Sequence, residues 1–204
     1  MTDLLPEAFP GYSNFELIRK KDGVLLTHAE DESGKPWVIK FFMQTEFRRE
    51  IRAYELLQSL GVPTLAWKKI NEAAIALEDL NASPSLRLAV IEDMQDPDIA
   101  RQLARWYKAL HEAGSRLSQG ELEGLYSEMD YFKKGELLKI AELTSSTGLP
   151  FWQFLDQKFE AVFEKLNALP STLVYNDFYY VNMAVARDGK SAFMFDYNLL
   201  GRGL

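Results

Sequence analysis

The chain of 204 residues contains no cysteine, which excludes a disulfide framework and any thiolate metal site. It has two histidines, His28 and His111, far apart in sequence, so a zinc centre built on histidines is not expected either. No apolar run approaches the length of a membrane span. The opening stretch MTDLLPEAFPGYSNFE lacks a basic segment leading into an apolar one, so it does not read as a secretory signal. The expectation is a soluble cytoplasmic protein with no membrane partner. Basic charge is also short: Lys+Arg number 23 against 30 Asp+Glu, for a net charge of −7. Residues 1–78 hold 10 basic against 12 acidic side chains, and residues 79–204 hold 13 against 18. An acid excess disfavours nucleic acid as a partner, which wants a basic face, and is compatible with a cationic substrate. It also serves solubility without any further role.

What is present is globular: 47% hydrophobic and 26% charged residues suffice for a sizeable core. FELIRK and GVLLTH flank the turn Lys21-Asp22-Gly23, and a polar EDESGKP loop leads into WVIKFF. This predicts a three-stranded antiparallel meander over 15–43. Residues 46–60 switch to helical spacing, with Phe47, Ile51, Tyr54 and Leu57 on one face and Gly61 and Pro63 as stops. Short strands are expected around TLAWKKI and AAIALE. Beyond Leu80 helices dominate. Ile99, Leu103, Trp106 and Leu110 form one stripe, with Gly114 as a C-cap. A second helical region is expected over 121–143. A third, LPFWQFLDQKFEAVFEKLNALP, carries Phe151, Leu155, Phe159, Val162, Phe163 and Leu166 on its apolar face. LVYND, a hairpin around Asp188-Gly189, and SAFMFDYN follow. The boundary between a strand-rich part, 1–78, and a helical part, 79–204, falls near residues 78–81. No internal repeat is present.

Several polar residues sit where apolar ones are expected. Lys40 lies inside WVIKFF, where a charge is costly unless it is paired or reaches a ligand. Glu50 lies beside the inward stripe of the next helix and is placed to meet it. Asp177 and Asp196 each end an apolar run, with Asn182 between them. Taken singly, each of these last three reads better as a turn or capping residue, and only the set overturns that reading.

As an ordered set they resemble the kinase-like fold of the aminoglycoside phosphotransferase and choline kinase family. The resemblance extends to REIRAYELLQSLGVP as the Glu-bearing helix, ALEDL as the linker between lobes, and LARWYKALHEAG as the first long helix of the second lobe. It implies an α+β, two-lobe protein-kinase-like fold, with a small antiparallel β lobe carrying one helix and a mainly helical second lobe. It also implies an ATP-dependent transfer of the γ-phosphate to a hydroxyl of a small molecule, with Mg²⁺. In that reading Lys40 holds the phosphates and Glu50 holds Lys40. Asp177 accepts the hydroxyl proton, and Asn182 and Asp196 hold Mg²⁺ through hard oxygens. Val38 packs on adenine, the backbone from Glu78 to Leu80 meets its edge, and Phe195 lies near the phosphate end.

The chain departs from the family at several points. Tyr175-Asn176-Asp177 replaces the usual His-Gly-Asp or His-Asn-Asp, so a tyrosine stands where a histidine braces the loop. Tyr179-Tyr180-Val181 replaces His-Pro-Gly, and Asp196-Tyr197-Asn198 stands where Asp-Phe-Gly or a related triplet would be. There is no Gly-x-Gly-x-x-Gly between the first strands, which points away from protein substrates. The sequence given ends at GRGL, where the family continues with further helices; a truncated or abbreviated second lobe is the expectation. The rival reading is a catalytically degenerate relative that binds nucleotide or a partner without turnover.

Overall fold

A computed structural model describes residues 5–204. The part of the N-terminal reading that falls on residues 1–4 lies outside the described residues. A short helix α1 (Leu5–Ala8) precedes β1 (Tyr12–Lys21), β2 (Val24–Asp31) and β3 (Pro36–Phe42). A 3₁₀ turn over Thr45–Arg48 runs into α2 (Arg49–Ser59), and β4 (Trp67–Asn71) and β5 (Ala74–Glu78) complete an antiparallel sheet in the order β1-β2-β3-β5-β4. The sheet is covered on both faces, which explains why WVIKFF reads as a continuous apolar run rather than an alternating one. Trp37 and Ile39 pack with Phe9, Leu25, Ala29 and Ala76 on one side. Phe42, Ile75 and Leu77 pack on the other with Tyr54 and Leu57 of α2.

That second core continues into the rest of the chain. β6 (Leu86–Leu88) leads through a 3₁₀ turn over Ile91–Gln95 to α3 (Pro97–Gly114). Asp96 caps α3, accepting from the backbone N–H groups of Asp98 and Ile99, with Pro97 in the first turn where its missing N–H costs nothing. The predicted stripe Ile99, Leu103, Trp106 and Leu110 is buried. After α4 (Gln119–Leu122) and β7 (Tyr126–Ser127) come α5 (Lys134–Leu143) and α6 (Pro150–Asn167). The helical region expected over 121–143 is therefore broken, with a strand and a 3₁₀ turn before α5 begins. The apolar face expected on α6 is only partly used: Phe159 is buried and stacks with Phe132 and Phe163, whereas Phe151 is exposed.

The remaining strands are β8 (Thr172–Tyr175), β9 (Met183–Ala186), β10 (Ala192–Met194) and β11 (Leu200–Gly203). They form two small sheets, β10-β9-β6 and β7-β11-β8. Among the described residues no helix is long and apolar enough to cross a membrane.

Two glycines owe their places to close approach. A Cβ on Gly201 would lie 1.9 Å from the Tyr126 carbonyl oxygen, its parallel neighbour in the sheet. Gly114 is the last residue of α3 rather than a left-handed cap: a Cβ there would stand 2.3 Å from the Leu173 backbone nitrogen. The C-cap expected at Gly114 is thus corrected to a packing site between helix and strand. Gly114→Ala is expected to destabilise the fold by about 1–3 kcal/mol, since overpacking outweighs the roughly 1 kcal/mol gain in helix propensity. The midpoint of urea unfolding measures this, and a variant as stable as the parent would remove the close contact from the account.

Candidate active site

Strand alternation puts Val38, Lys40 and Phe42 on one face of β3. Lys40 is 5% exposed and Glu50 fully buried. The Lys40 Nζ lies 2.9 Å from Oε1 and 2.7 Å from Oε2 of Glu50, and 2.7 Å from Oδ1 of Asp196. One ammonium is thus shared by two carboxylates. Burial opposes its charge, but Glu50 and Asp196 more than offset this and raise its pKa above the ordinary lysine value. Glu50 carries the strain of the arrangement. Burial pushes its carboxyl up to about 7, with the Asp196 charge adding to the rise and Lys40 opposing it. The trio holds one negative charge too many for its surroundings when fully ionised.

A pH dependence follows. Between the ordinary value of 4.5 and about 7, native Glu50 binds a proton that the unfolded chain has released. Stability from this group is fully present below 4.5 and falls as pH rises towards 7, by up to about 1.4 kcal/mol per pH unit. The stability difference between the parent and Glu50→Gln, read from denaturant unfolding across this window, should change with pH and level off on either side. A constant difference would contradict the burial argument.

Asp196 itself adopts φ 64°, ψ 69°, a left-handed conformation that aspartate tolerates better than most side chains. The Phe195 N–H donates to the Asn182 carbonyl at 2.8 Å, tying the two loops together. The Asn182 amide nitrogen donates to Oδ2 of Asp177 at 2.8 Å, which leaves its amide oxygen available. Tyr175 supplies the brace expected of a histidine. Its ring is buried edge-on to Trp106 and Tyr197, and its hydroxyl donates to the Phe195 carbonyl at 2.8 Å. Burial, with the Asp196 and Asp177 charges, raises its pKa, so it stays a donor. The Tyr107 hydroxyl holds the same strand from behind, donating to the Tyr175 carbonyl at 3.0 Å.

The sequence-predicted residues converge on two adjoining cavities. Val38, Lys40, Glu78, Leu80, Phe195 and Asp196 border a slot of about 170 Å³. Phe195 therefore lines the same slot as Val38 and Asp196. Lys40, Glu50, Asp177 and Asp196 border a cleft of about 250 Å³. Asn182 lines neither cavity but donates to Asp177, which lines the cleft.

Sequence reasoning missed several neighbours. His28 of β2 pairs with Asp79 at 2.9 Å, and Ser83 donates to the Glu78 carboxylate at 2.6 Å; together they fix the segment beside the slot. Arg49 donates to the Asn198 carbonyl at 2.8 Å, holding the segment after Asp196. Arg19 and Lys21 of β1 also line the cleft. The clustering of polar residues at 78–83 was the one available signal for the first group.

A metal can be weighed against these side chains. Among the described residues no group of three or more His, Cys, Asp or Glu is gathered for one. What is offered is an amide oxygen from Asn182 and a carboxylate from Asp196, hard donors that suit Mg²⁺ when phosphate oxygens and water complete its shell. The surplus negative charge around Lys40 is what such a cation relieves. The residues fit the group.

A five-stranded antiparallel sheet with one helix, a Lys–Glu pair and a carboxylate-bearing loop beneath a slot define the protein-kinase-like fold. Residues 24–204 match the phosphotransferase enzyme family, APH, and the chain belongs to that family. Solved structures show the same fold at low identity. The APH(2″)-IIa complex with streptomycin and ATP is 15% identical with a TM-score of 0.61, covering 99% of this chain and 71% of its own. A Plasmodium vivax ethanolamine kinase is 15% identical with a TM-score of 0.60, covering 93% of this chain and 57% of its own. A macrolide 2′-phosphotransferase from Brachybacterium faecium is 17% identical with a TM-score of 0.60, covering 98% and 72%. No curated protein matches the sequence.

Proposed function

We propose that this phosphotransferase-family chain transfers the γ-phosphate of ATP to a hydroxyl of a small molecule. The observation that carries the reading is the buried Lys40 shared between Glu50 and Asp196 at the junction of the slot and the cleft. Val38 and Phe195 would sandwich the base, with the Glu78–Leu80 backbone at its edge. Lys40 would neutralise charge on the phosphates as the leaving group develops. Asp177, half-buried and oriented by Asn182, would take the proton of the acceptor hydroxyl as its oxygen attacks the γ-phosphorus and the bond to the β-phosphate breaks. Asn182 and Asp196 would hold Mg²⁺, whose chemistry here is to neutralise and align phosphate oxygens. We place the strand-rich part at 1–78 and the helical part at 79–204, with the reaction between them.

The acceptor side favours an apolar body over a cation. A groove of about 440 Å³ is lined by Met94, Ala100, Leu103, Ala104, Tyr107 and Phe178, the residue after Asp177. The acid that lines it is already occupied: Asp93 holds Arg87 through both oxygens.

Mg²⁺-ATP is expected to raise the melting temperature, and Asp196→Ala to abolish the shift. No shift at millimolar Mg²⁺-ATP would overturn the reading. Nucleotide binding without ADP formation against a broad panel of hydroxyl acceptors would favour a binding protein that does not turn over.

A further inference from the structure

The register of β1 against β2 changes between Leu17 and Arg19: Leu17 stands opposite Thr27, but Arg19 stands opposite Leu26. One residue, Ile18, is extra on the β1 side, the definition of a bulge. On β2, Leu25 and Ala29 belong to the core on the far side of the sheet, whereas Val24 and Leu26 line the cleft. Without the bulge, Arg19 would fall opposite Leu25 and point away from the cleft. With it, Arg19 and then Lys21, opposite Val24, are turned to the cleft face, while Lys20, opposite Leu25, is turned from it. A one-residue slip exchanges the two faces of a strand.

Arg19 lines the same cleft as Lys40, Asp177 and Asp196 and forms no ion pair among the described residues. Lys21 has only its exposed neighbour Asp22, at 3.5 Å. This is also the turn in which the sequence carries no Gly-x-Gly-x-x-Gly. Such a loop would supply backbone N–H groups over the phosphates; here the turn is short and its flanking strand delivers a guanidinium instead. A guanidinium offers five donors in a planar fork, suited to two oxygens of one phosphate.

We infer that the β1 bulge makes Arg19 a phosphate-binding residue, which grips the β- or γ-phosphate of the nucleotide from the same sheet face as Lys40, two strands away across Leu26. The inference rests on the phosphotransferase reading above, and the test separates the two. Binding of Mg²⁺-ATP, Mg²⁺-ADP and adenosine is measured by calorimetry for the parent, Arg19→Ala, Arg19→Lys and Lys20→Ala, with each variant's melting temperature checked first. Arg19→Ala should weaken Mg²⁺-ATP by about tenfold to a hundredfold, the range for a hydrogen bond to a charged group, and leave adenosine unchanged. Arg19→Lys should recover part of the loss. Lys20→Ala removes the same charge from the other face and should change neither ligand. A loss confined to ATP assigns the contact to the γ-phosphate, and a loss shared by ADP assigns it to the β-phosphate. Equal weakening of ATP and adenosine, no weakening of ATP, or an equal effect from Lys20→Ala would overturn the inference. A parent protein that binds adenosine but gains nothing from the phosphates would do the same, whereas one that binds no nucleotide overturns the phosphotransferase reading itself.

Discussion

Asp177→Asn is expected to reduce turnover by about a hundredfold to ten-thousandfold, the usual contribution of a positioned general base, with Mg²⁺-ATP affinity nearly unchanged. The substitution keeps an oxygen that can accept from the Asn182 amide, at present 2.8 Å from Asp177 Oδ2, so the loop need not move. What is lost is the ability to take a proton. The loss should therefore fall on kcat and kcat/KM for the acceptor equally, while the KM for ATP holds. Nucleotide-induced thermal shift and steady-state ADP release measure the two halves separately. Loss of ATP binding in this variant would mean that Asp177 is a ligand for nucleotide or metal rather than the base.

Lys40→Met is expected to have the larger effect on the molecule as a whole. It strands Glu50, fully buried, opposite Asp196 with no cation between them. Breaking a buried pair from one side costs about 3–5 kcal/mol, whereas replacing both partners with apolar groups of similar volume can be close to neutral. Glu50 can lessen the cost by taking up a proton, so the deficit should be smallest at acid pH. The double variant Lys40→Met/Glu50→Leu should recover most of the stability and none of the nucleotide binding. A double-variant cycle from urea unfolding gives the coupling energy. If the double variant stays as unstable as the single one, the pair is not what makes Lys40 structurally important. If it regains ATP binding, Lys40 is not the phosphate contact.

Much of this site was legible because its residues break local rules. A lysine inside WVIKFF and a glutamate beside the inward stripe of the next helix stand out against the apolar pattern, and the structure joins them at 2.7 Å. The stripe from Ile99 to Leu110 was equally readable, since its helical spacing is regular; the Asp96 cap at its start was not read from the sequence. Other parts left no such trace. LLGRGL gives a weak strand signal because two glycines lower strand propensity, yet those glycines are there to let Tyr126 and Val174 come close in the sheet. The two short strands at Leu86–Leu88 and Tyr126–Ser127 are too brief for a period to show.

Tyr175 and Arg19 illustrate the two deeper limits. At Tyr175 the chain departs from the family's residue type, and what the tyrosine ties together is set by the fold. A buried hydroxyl donates to the Phe195 carbonyl across 20 residues of chain, which only the folded geometry reveals. At Arg19 the sequence alternation assigns the wrong face, because a bulge one residue earlier shifts the register. Local periodicity carries no information about which strand pairing will skip a residue. The extent of α6's burial was likewise invisible: its stripe is regular, but what covers it is set by tertiary packing, and only Phe159 is fully taken up.

A crystal structure with Mg²⁺ and a non-hydrolysable ATP analogue would show directly whether Asn182 and Asp196 share a cation beside Lys40. One Mg²⁺ is expected with the Asn182 amide oxygen and an Asp196 carboxylate oxygen at about 2.0–2.1 Å. The Lys40 ammonium should lie against phosphate oxygens and the base between Val38 and Phe195. A nucleotide bound elsewhere, or a cation in the cleft that touches neither Asn182 nor Asp196, would contradict this assignment.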